Sequence, residues 1–169
     1  MFNQVKRLLG IESNQTPSKS TLSIDWVLPD KLGVGRLPKP GEGEILAKGN
    51  IKTVLSLCAE TEGILPEDIT NTFQCFRVVL PDRFYDTVMK AQELGEAVAI
   101  VRENLIKNQP VYVHCLAGIE RSPTVCIAYL CRYENMELWE AANWVKQVHP
   151  NSLPSTSGLR AIREYLSQN

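Results

Sequence analysis

The chain reads Val111-Tyr112-Val113-His114-Cys115-Leu116-Ala117-Gly118-Ile119-Glu120-Arg121-Ser122 at the point that decides its fold. The first three residues favour a buried strand, and residues 124–130 after the stretch are predicted to form a buried helix. The loop between them ends at a helix N-terminus, where free backbone N–H groups and the helix dipole favour an oxyanion. The pattern indicates an α/β fold with an anion-binding loop at a strand end.

Two side chains of this loop carry reactive chemistry. Cys115 starts the loop, where the amide donors and the charge of Arg121 are expected to favour the thiolate over the thiol. The planar guanidinium of Arg121 can bind two phosphoryl oxygens at once, in the ground state and in the transition state. A lone cysteine at a strand end is usually a core residue. The combined pattern His-Cys-x-x-Gly-x-x-Arg-Ser is far more restrictive and favours catalysis.

The other loop residues have supporting roles in this interpretation. Gly118 permits a tight turn or a close approach of the backbone to the ligand. His114 is predicted to orient the loop rather than to take a proton, and Ser122 to donate a hydrogen bond to the sulfur when the intermediate is hydrolysed. The predicted substrate-binding residues are Leu116, Ala117, Gly118, Ile119, Glu120 and Arg121.

The stretch and its surroundings resemble the cysteine-dependent protein tyrosine phosphatase superfamily, and within it the small dual-specificity phosphatases. The resemblance covers about residues 22–167 and includes residues 51–57, 113–119, 121–124, 128–130, 138, 140–141 and 145–147. It implies a tyrosine-phosphatase-like fold and hydrolysis of phosphomonoesters through a phosphocysteine, without a metal or other cofactor. The implied substrate is a protein phosphorylated on tyrosine, serine or threonine, or another phosphomonoester.

Phosphomonoester hydrolysis also needs an acid, because the leaving oxygen must take up a proton. Asp82 is the favoured candidate, since the strand-like run before Pro81-Asp82 releases the chain into a loop, and the resembled family carries its acid in this loop. Asp86 is the alternative, but it directly precedes a predicted helix at Thr87 and fits an N-cap. Asp82 could also be an ordinary turn residue.

Two charged residues, Glu120 and Arg36, are expected near the pocket without a direct role in catalysis. Glu120 stands where the resembled family usually has a small, polar or basic residue, and its charge is expected near the pocket mouth unless it points to solvent. Together with the lack of loop lysines, it argues against a polyanionic substrate. Arg36 is predicted to be a solvated surface charge near the pocket rather than part of it.

Composition limits the compartment and the partners. A net charge of −1 gives no basic field for nucleic acid or an anionic membrane. Five cysteines without Cys-x-x-Cys spacing argue against a disulfide framework or a zinc site, so a reducing, cytoplasmic location is expected. Cys58 ends a predicted strand and is a candidate disulfide partner of Cys115. Cys75, Cys126 and Cys131 are predicted to be core residues.

The 169 residues suffice for one domain. We predict an appendage and linker over residues 1–20 and a monomeric catalytic domain over residues 21–169, with no stable membrane insertion. Alternation of strands and helices indicates a central, mixed, mainly parallel sheet of about five strands with helices on both faces. The predicted strands span residues 23–27, 31–35, 51–57, 73–79 and 111–113, and the predicted helices span residues 87–107, 122–133, 137–149 and 158–167.

Two other functions fit parts of the pattern. A rhodanese-type sulfurtransferase also uses a loop cysteine at a strand end, but its loop does not usually combine the His-Cys start with a terminal Arg-Ser. A pseudophosphatase would bind phosphoproteins on the same loop without turnover. The joint presence of Cys115, Arg121 and Asp82 disfavours this second alternative.

Overall fold

A five-stranded sheet forms the centre of the molecule. The computed structural model describes residues 21–84 and 87–168. The strands are β1 (Asp25–Leu28), β2 (Leu32–Arg36), β3 (Thr53–Ser56), β4 (Gln74–Arg77) and β5 (Val111–Cys115). Their order in the sheet is β1-β2-β5-β3-β4; β1 is antiparallel to β2, and the other neighbours are parallel. The predicted mixed, mainly parallel sheet is confirmed.

Helices cover both faces of the sheet, as predicted. Within the described part of the chain the helices are α1 (Gly43–Lys48), α2 (Glu67–Thr70), α3 (Ala91–Ile106), α4 (Arg121–Tyr133), α5 (Leu138–Val148) and α6 (Thr156–Ser167). The four longer helices α3–α6 pack on the larger apolar core, and the short helices α1 and α2 pack on a smaller one. The sheet is therefore buried on both faces, which parallel strands require.

The central strand β5 leads to the carboxyl edge of the sheet, where residues 115–121 form the segment that we call the reactive loop. All five of its residues are buried. Val111, Val113 and Cys115 belong to the larger core, whereas Tyr112 belongs to the smaller one, as the alternation of a strand demands. Ligand sites in open parallel sheets lie at this carboxyl edge, so the fold places Cys115 where chemistry is expected.

The helix predicted from Thr87 begins four residues later. Lys90 has extended backbone angles (φ −96°, ψ 143°) and is the N-cap of α3, and the Met89 N–H donates to Ser157 Oγ at 3.0 Å. The segment before α3 is thus bound to the start of α6 and does not extend the helix. Asp86, the predicted N-cap, lies outside the described residues.

Other boundaries differ by small amounts. The three C-terminal helices are confirmed with shifted starts, and α1 and α2 were not predicted because six and four residues are too short to show a helical period. The predicted appendage, residues 1–20, lies outside the described residues. No helix of the described chain is long and apolar enough to cross a membrane.

Candidate active site

The loop between β5 and α4 is shaped around one glycine. Cys115 is the last residue of β5 and Arg121 is the first residue of α4. Gly118 between them has φ +74°, and a Cβ built on it would lie 2.7 Å from the carbonyl carbon of Gly35. Only glycine fits this close approach to β2, as the sequence predicted.

Several backbone carbonyl oxygens of the loop accept hydrogen bonds from residues outside the loop. Four of them accept hydrogen bonds from neighbouring segments: Leu116 O from Leu37 N (3.3 Å), Gly118 O from His149 Nε2 (2.5 Å), Ile119 O from Leu153 N (2.7 Å) and Glu120 O from Thr124 Oγ1 (2.7 Å). None of the backbone N–H groups of residues 116–121 donates to an acceptor within residues 21–84 and 87–168. These amides are left available for an anion.

His149 has a structural role that the sequence did not reveal. It follows the last residue of α5. Its ring instead lies between two other segments, with Nδ1 2.5 Å from Asp25 Oδ2 and Nε2 2.5 Å from Gly118 O. The ring therefore connects β1 to the loop.

The Cys115 sulfur is paired with a hydroxyl. Cys115 Sγ lies 3.4 Å from Ser122 Oγ, and the same hydroxyl donates to Gly35 O at 3.1 Å. A single hydroxyl proton can serve only one of these acceptors at a time. Rotation of the Ser122 hydroxyl would turn its donation from the carbonyl to the sulfur, and the predicted role of Ser122 stays a prediction.

Arg121 is the central cation of the site. Its side chain is 1% exposed; Nη2 lies 2.8 Å from Glu62 Oε1 and 3.0 Å from Asp82 Oδ2, and Nη1 lies 3.0 Å from Glu62 Oε2. Burial opposes its charge, but the hydrogen bonds to Glu62 raise the pKa of Arg121 overall. Its Nε has no partner among the residues that the structure describes. One donor of the guanidinium thus remains for a ligand.

Glu62 is the principal residue that sequence reasoning missed. Burial alone would raise the pKa of its carboxyl, but the bond from Arg121 lowers it overall. Its Oε2 also accepts the Ala59 N–H at 2.8 Å. The available signal was its position shortly after β3, at the sheet edge that also carries Cys115. The acidic run Glu60-Thr61-Glu62 gave no reason to choose one carboxylate.

Asp82 lies at the same site as Arg121 and Cys115. Its Oδ2 contacts Arg121, and its Oδ1 accepts the Phe84 N–H at 3.2 Å. Asp82 and Cys115 both line one cavity of about 260 Å³ at the carboxyl end of β5. The sequence-predicted acid and nucleophile are thus brought together from segments that are more than thirty residues apart.

Glu120 does not point to solvent. Its side chain is 5% exposed, and its Oε2 lies 2.7 Å from Arg83 Nε. It lines the same cavity as Cys115, as expected for a charge at the pocket mouth. The solvent-pointing alternative is therefore wrong, because Arg83 compensates the buried carboxylate.

Arg36 is not a solvated surface charge. Its guanidinium binds both carboxylate oxygens of Glu42, at 2.7 and 2.9 Å, and the two side chains are 21% and 13% exposed. The sequence prediction for Arg36 is wrong, because Glu42 at the start of α1 folds back onto the end of β2.

His114 and Cys58 lie beside the reactive loop. Burial lowers the pKa of His114 to about 4, and its Nδ1 lies 3.3 Å from Cys115 O. A neutral ring is compatible with the predicted orienting role, which stays a prediction. Burial raises the pKa of Cys58 to about 12, and its disulfide with Cys115 also stays a prediction. Cys126 is fully buried, whereas Cys75 and Cys131 are only partly buried.

Comparison with known proteins decides the family. Residues 39–168 match the model of the dual specificity phosphatase catalytic domain. The chain belongs to the dual-specificity phosphatase family. The family match favours a cysteine-based phosphatase over the sulfurtransferase alternative.

The relatives of this dual-specificity phosphatase fall into two groups by name. Dual specificity protein phosphatase 22-B of Danio rerio is 30% identical over 142 residues, which cover 84% of this chain and 73% of that protein. The phosphatidylglycerophosphate phosphatases PTPMT1 and PTPMT2 of Arabidopsis thaliana are 26% and 25% identical over 78% and 82% of this chain. The matches span 39% and 60% of those two relatives.

Solved structures share the fold. Tk-PTP in its active form superposes with a TM-score of 0.76 at 21% identity, covering 87% of this chain and 98% of that chain. PTPMT1 in complex with PI(5)P superposes with a TM-score of 0.73 at 23% identity, covering 82% and 92%. The tyrosine-phosphatase-like α/β fold predicted from the sequence is thus confirmed.

Proposed function

We propose that this phosphatase hydrolyses phosphorylated tyrosine, serine or threonine side chains of proteins through a phosphocysteine on Cys115. Asp82 acts as the acid and then as the base, and no metal takes part. The observation that carries the proposal is that Cys115 and Asp82 line one cavity and that Arg121 Nη2 lies 3.0 Å from Asp82 Oδ2. These are the nucleophile, the proton donor and the anion-binding cation that phosphoryl transfer needs.

The first step forms the phosphocysteine. A phosphate oxygen binds the free Nε of Arg121 and competes with Asp82 for Nη2. The Asp82 carboxyl is then released from Arg121, and in this mechanism it carries the proton that the leaving oxygen takes up. The thiolate of Cys115 attacks phosphorus in line, the bond from phosphorus to the leaving oxygen breaks, and that oxygen takes the proton from Asp82.

The second step releases phosphate. Asp82, now a carboxylate, takes a proton from a water that attacks phosphorus. The bond between phosphorus and sulfur breaks, and its electron pair returns to Cys115. The Ser122 hydroxyl, 3.4 Å from the sulfur, donates a hydrogen bond to the departing thiolate. This donation stabilises the developing charge on the leaving sulfur.

The walls of the cavity favour a substrate with one phosphate on an uncharged body. Its charged lining residues are Asp82, Arg83 and Glu120, and Arg83 is already paired with Glu120. A second phosphate group would meet two carboxylates and no unpaired cation among these three. Phe84 at the rim is 89% exposed, and an exposed ring can pack against the ring of phosphotyrosine. A phosphorylated protein side chain satisfies both conditions.

The names of the relatives support two substrate classes. The Danio rerio relative is called a protein phosphatase, whereas the Arabidopsis thaliana relatives are called phosphatidylglycerophosphate phosphatases. The apolar rim also suits lipid chains, so phospholipid is the second candidate. The absence of an unpaired cation among the three charged lining residues favours the protein substrate over a charged headgroup.

A panel of substrates tests the proposal. Phosphate release would be measured from phosphotyrosine and phosphothreonine peptides, phosphatidylglycerophosphate micelles and phosphatidylinositol 5-phosphate micelles. We expect the highest kcat/KM on the phosphotyrosine peptide and no turnover by Cys115→Ser. A higher kcat/KM on either lipid would overturn the protein assignment. Binding of phosphopeptide without turnover by the wild type would support the pseudophosphatase alternative instead.

A further inference from the structure

The loop that carries Asp82 is fixed on one side by the sheet. Leu80 is buried, its N–H donates to Leu57 O at 3.1 Å, and its carbonyl accepts from Arg121 Nη1 at 3.2 Å. Beyond Asp82 the side chain of Phe84 is exposed, and α3 begins only at Ala91. The chain after Asp82 therefore needs another contact to keep the carboxyl over the cavity.

Arg83 supplies that contact. Its Nε donates to Glu120 Oε2 at 2.7 Å, and its backbone N–H approaches the same oxygen at 3.3 Å. Its Nη2 donates to Leu153 O at 2.6 Å. One residue thus joins the acid loop to the reactive loop and to the segment between α5 and α6. We call this ion pair of Arg83 with Glu120 the Arg83–Glu120 bridge.

Charge and burial make the two members of this bridge depend on each other. The Glu120 side chain is 5% exposed and Arg83 is 32% exposed. A buried carboxylate without a cation is costly, and at this position it would also repel an incoming phosphate. Arg83 therefore neutralises Glu120, and Glu120 in return fixes the residue that follows the acid.

The resting contacts of Asp82 cannot replace the bridge during catalysis. Asp82 is held by Arg121 Nη2 at 3.0 Å. A bound phosphate competes for the same donor, so the carboxyl loses this contact at the moment when it must face the leaving oxygen. The backbone on both sides of Asp82 must then position it.

We propose that Arg83 and Glu120 are positioning residues that hold Asp82 over the leaving oxygen while the phosphocysteine forms. This proposal rests on the proposed function, because it assumes that Asp82 is the acid. The bridge contributes through Asp82 and does not touch the phosphoryl group. Its loss should therefore matter most for substrates whose leaving oxygen needs a proton.

The test compares two leaving groups in two backgrounds. Values of kcat/KM would be measured on phenyl phosphate, a poor leaving group, and on 4-nitrophenyl phosphate, a good one. General acid catalysis contributes about 10²–10⁴-fold, so partial loss of positioning in Glu120→Gln should lower kcat/KM on phenyl phosphate roughly tenfold. The decrease on 4-nitrophenyl phosphate should be much smaller. In an Asp82→Asn background, Glu120→Gln should cause no further loss on phenyl phosphate.

Two controls separate positioning from damage to the fold. Glu44→Gln removes a carboxylate from the exposed Glu44–Lys48 pair and should change neither rate. Glu120→Gln should still bind inorganic phosphate, measured as an inhibitor, at least as tightly as the wild type, because the reactive loop is intact and has lost a negative charge. Weaker phosphate binding would show a damaged loop and would count against the proposal.

The outcomes distinguish the bridge from the acid assignment. Equal losses on both substrates, or an additional loss in the Asp82→Asn background, would overturn the positioning role of the bridge and leave Asp82 as the acid. If Asp82→Asn itself lowers both rates equally, the acid assignment in the proposed function fails. In that case the proposal on the bridge fails with it.

Discussion

The guanidinium of Arg121 shows how single residues prepare this site for an anion. It is almost fully buried and lies between the carboxylates of Glu62 and Asp82. A buried cation needs such partners, because an unpaired buried charge is strongly destabilising. In the proposed mechanism Asp82 leaves the guanidinium when phosphate binds, whereas Glu62 does not line the cavity that contains Cys115. Glu62 is therefore the lasting partner that orients Arg121.

Glu62→Gln tests this orientation at the scale of one residue. A charge-assisted hydrogen bond contributes about 1.5–3 kcal/mol, so a lost orientation should lower kcat/KM on 4-nitrophenyl phosphate roughly tenfold or more. Loss of a negative charge alone would act in the opposite direction, because it favours phosphate binding. Glu60→Gln is the matched control, since Glu60 is exposed. An unchanged or higher kcat/KM in Glu62→Gln would contradict the positioning role.

At the scale of elements, one carboxylate fixes the connection between β2 and α1. Glu42 accepts both bonds from Arg36, and it also accepts the Leu22 N–H at 3.0 Å and the Lys39 N–H at 2.7 Å. Arg36 is paired in register with Cys115 across β2 and β5. The Glu42 contacts therefore fix the end of β2 next to the nucleophile.

The stability of this connection should depend on pH in a defined direction. Burial alone would raise the pKa of Glu42, but its hydrogen bonds lower it from 4.5 to about 2. Its contribution is therefore complete above about pH 4.5 and is lost as the pH falls towards 2. We expect Glu42→Gln to lower the free energy of unfolding by about 2 kcal/mol at pH 7 and by progressively less below pH 4.5.

Urea unfolding at several pH values would measure this difference. Glu44→Gln, which alters an exposed pair close by, serves as the control and should match the wild type. A difference between wild type and Glu42→Gln that stays constant from pH 7 to pH 3 would show that the carboxylate is not the stabilising form.

The elements that the sequence predicted correctly are those with a strong local pattern. Strand β5 is a continuous apolar run, and α4–α6 show apolar residues at helical spacing. Helices α1 and α2 are too short for such a pattern. They are stabilised by packing of Leu46 and Ile69 in the smaller core. The start of α3 was missed because the bond of Met89 to Ser157 depends on a segment 68 residues away.

At the scale of the whole molecule, the site is assembled by topology. The reactive loop was predictable because Cys115, Gly118 and Arg121 lie in one short stretch with restrictive spacing. Glu62 and His149 were not predictable in their roles, because they reach the loop from other parts of the chain. The sequence around each of these two residues has no pattern that sets it apart from ordinary surface residues. Only the order of the strands brings their segments together.

Each contact at the site therefore depends on the arrangement of several distant segments. Strand β3 brings Glu62, the segment after β4 brings Asp82, and the connection after α5 brings His149 to the loop that follows β5. In the proposed function this assembly serves a single event, transfer of a phosphoryl group to the sulfur of Cys115.

Trapping the intermediate tests that claim most directly. The Ser122→Ala variant, which should slow release of the sulfur, would be mixed with 4-nitrophenyl phosphate, quenched in acid during turnover, digested and analysed by mass spectrometry. We expect a phosphoryl group on the peptide that contains Cys115, and neither adduct nor turnover in Cys115→Ser. Phosphate release by Cys115→Ser at the wild-type rate, or a phosphoryl group on another residue, would contradict it.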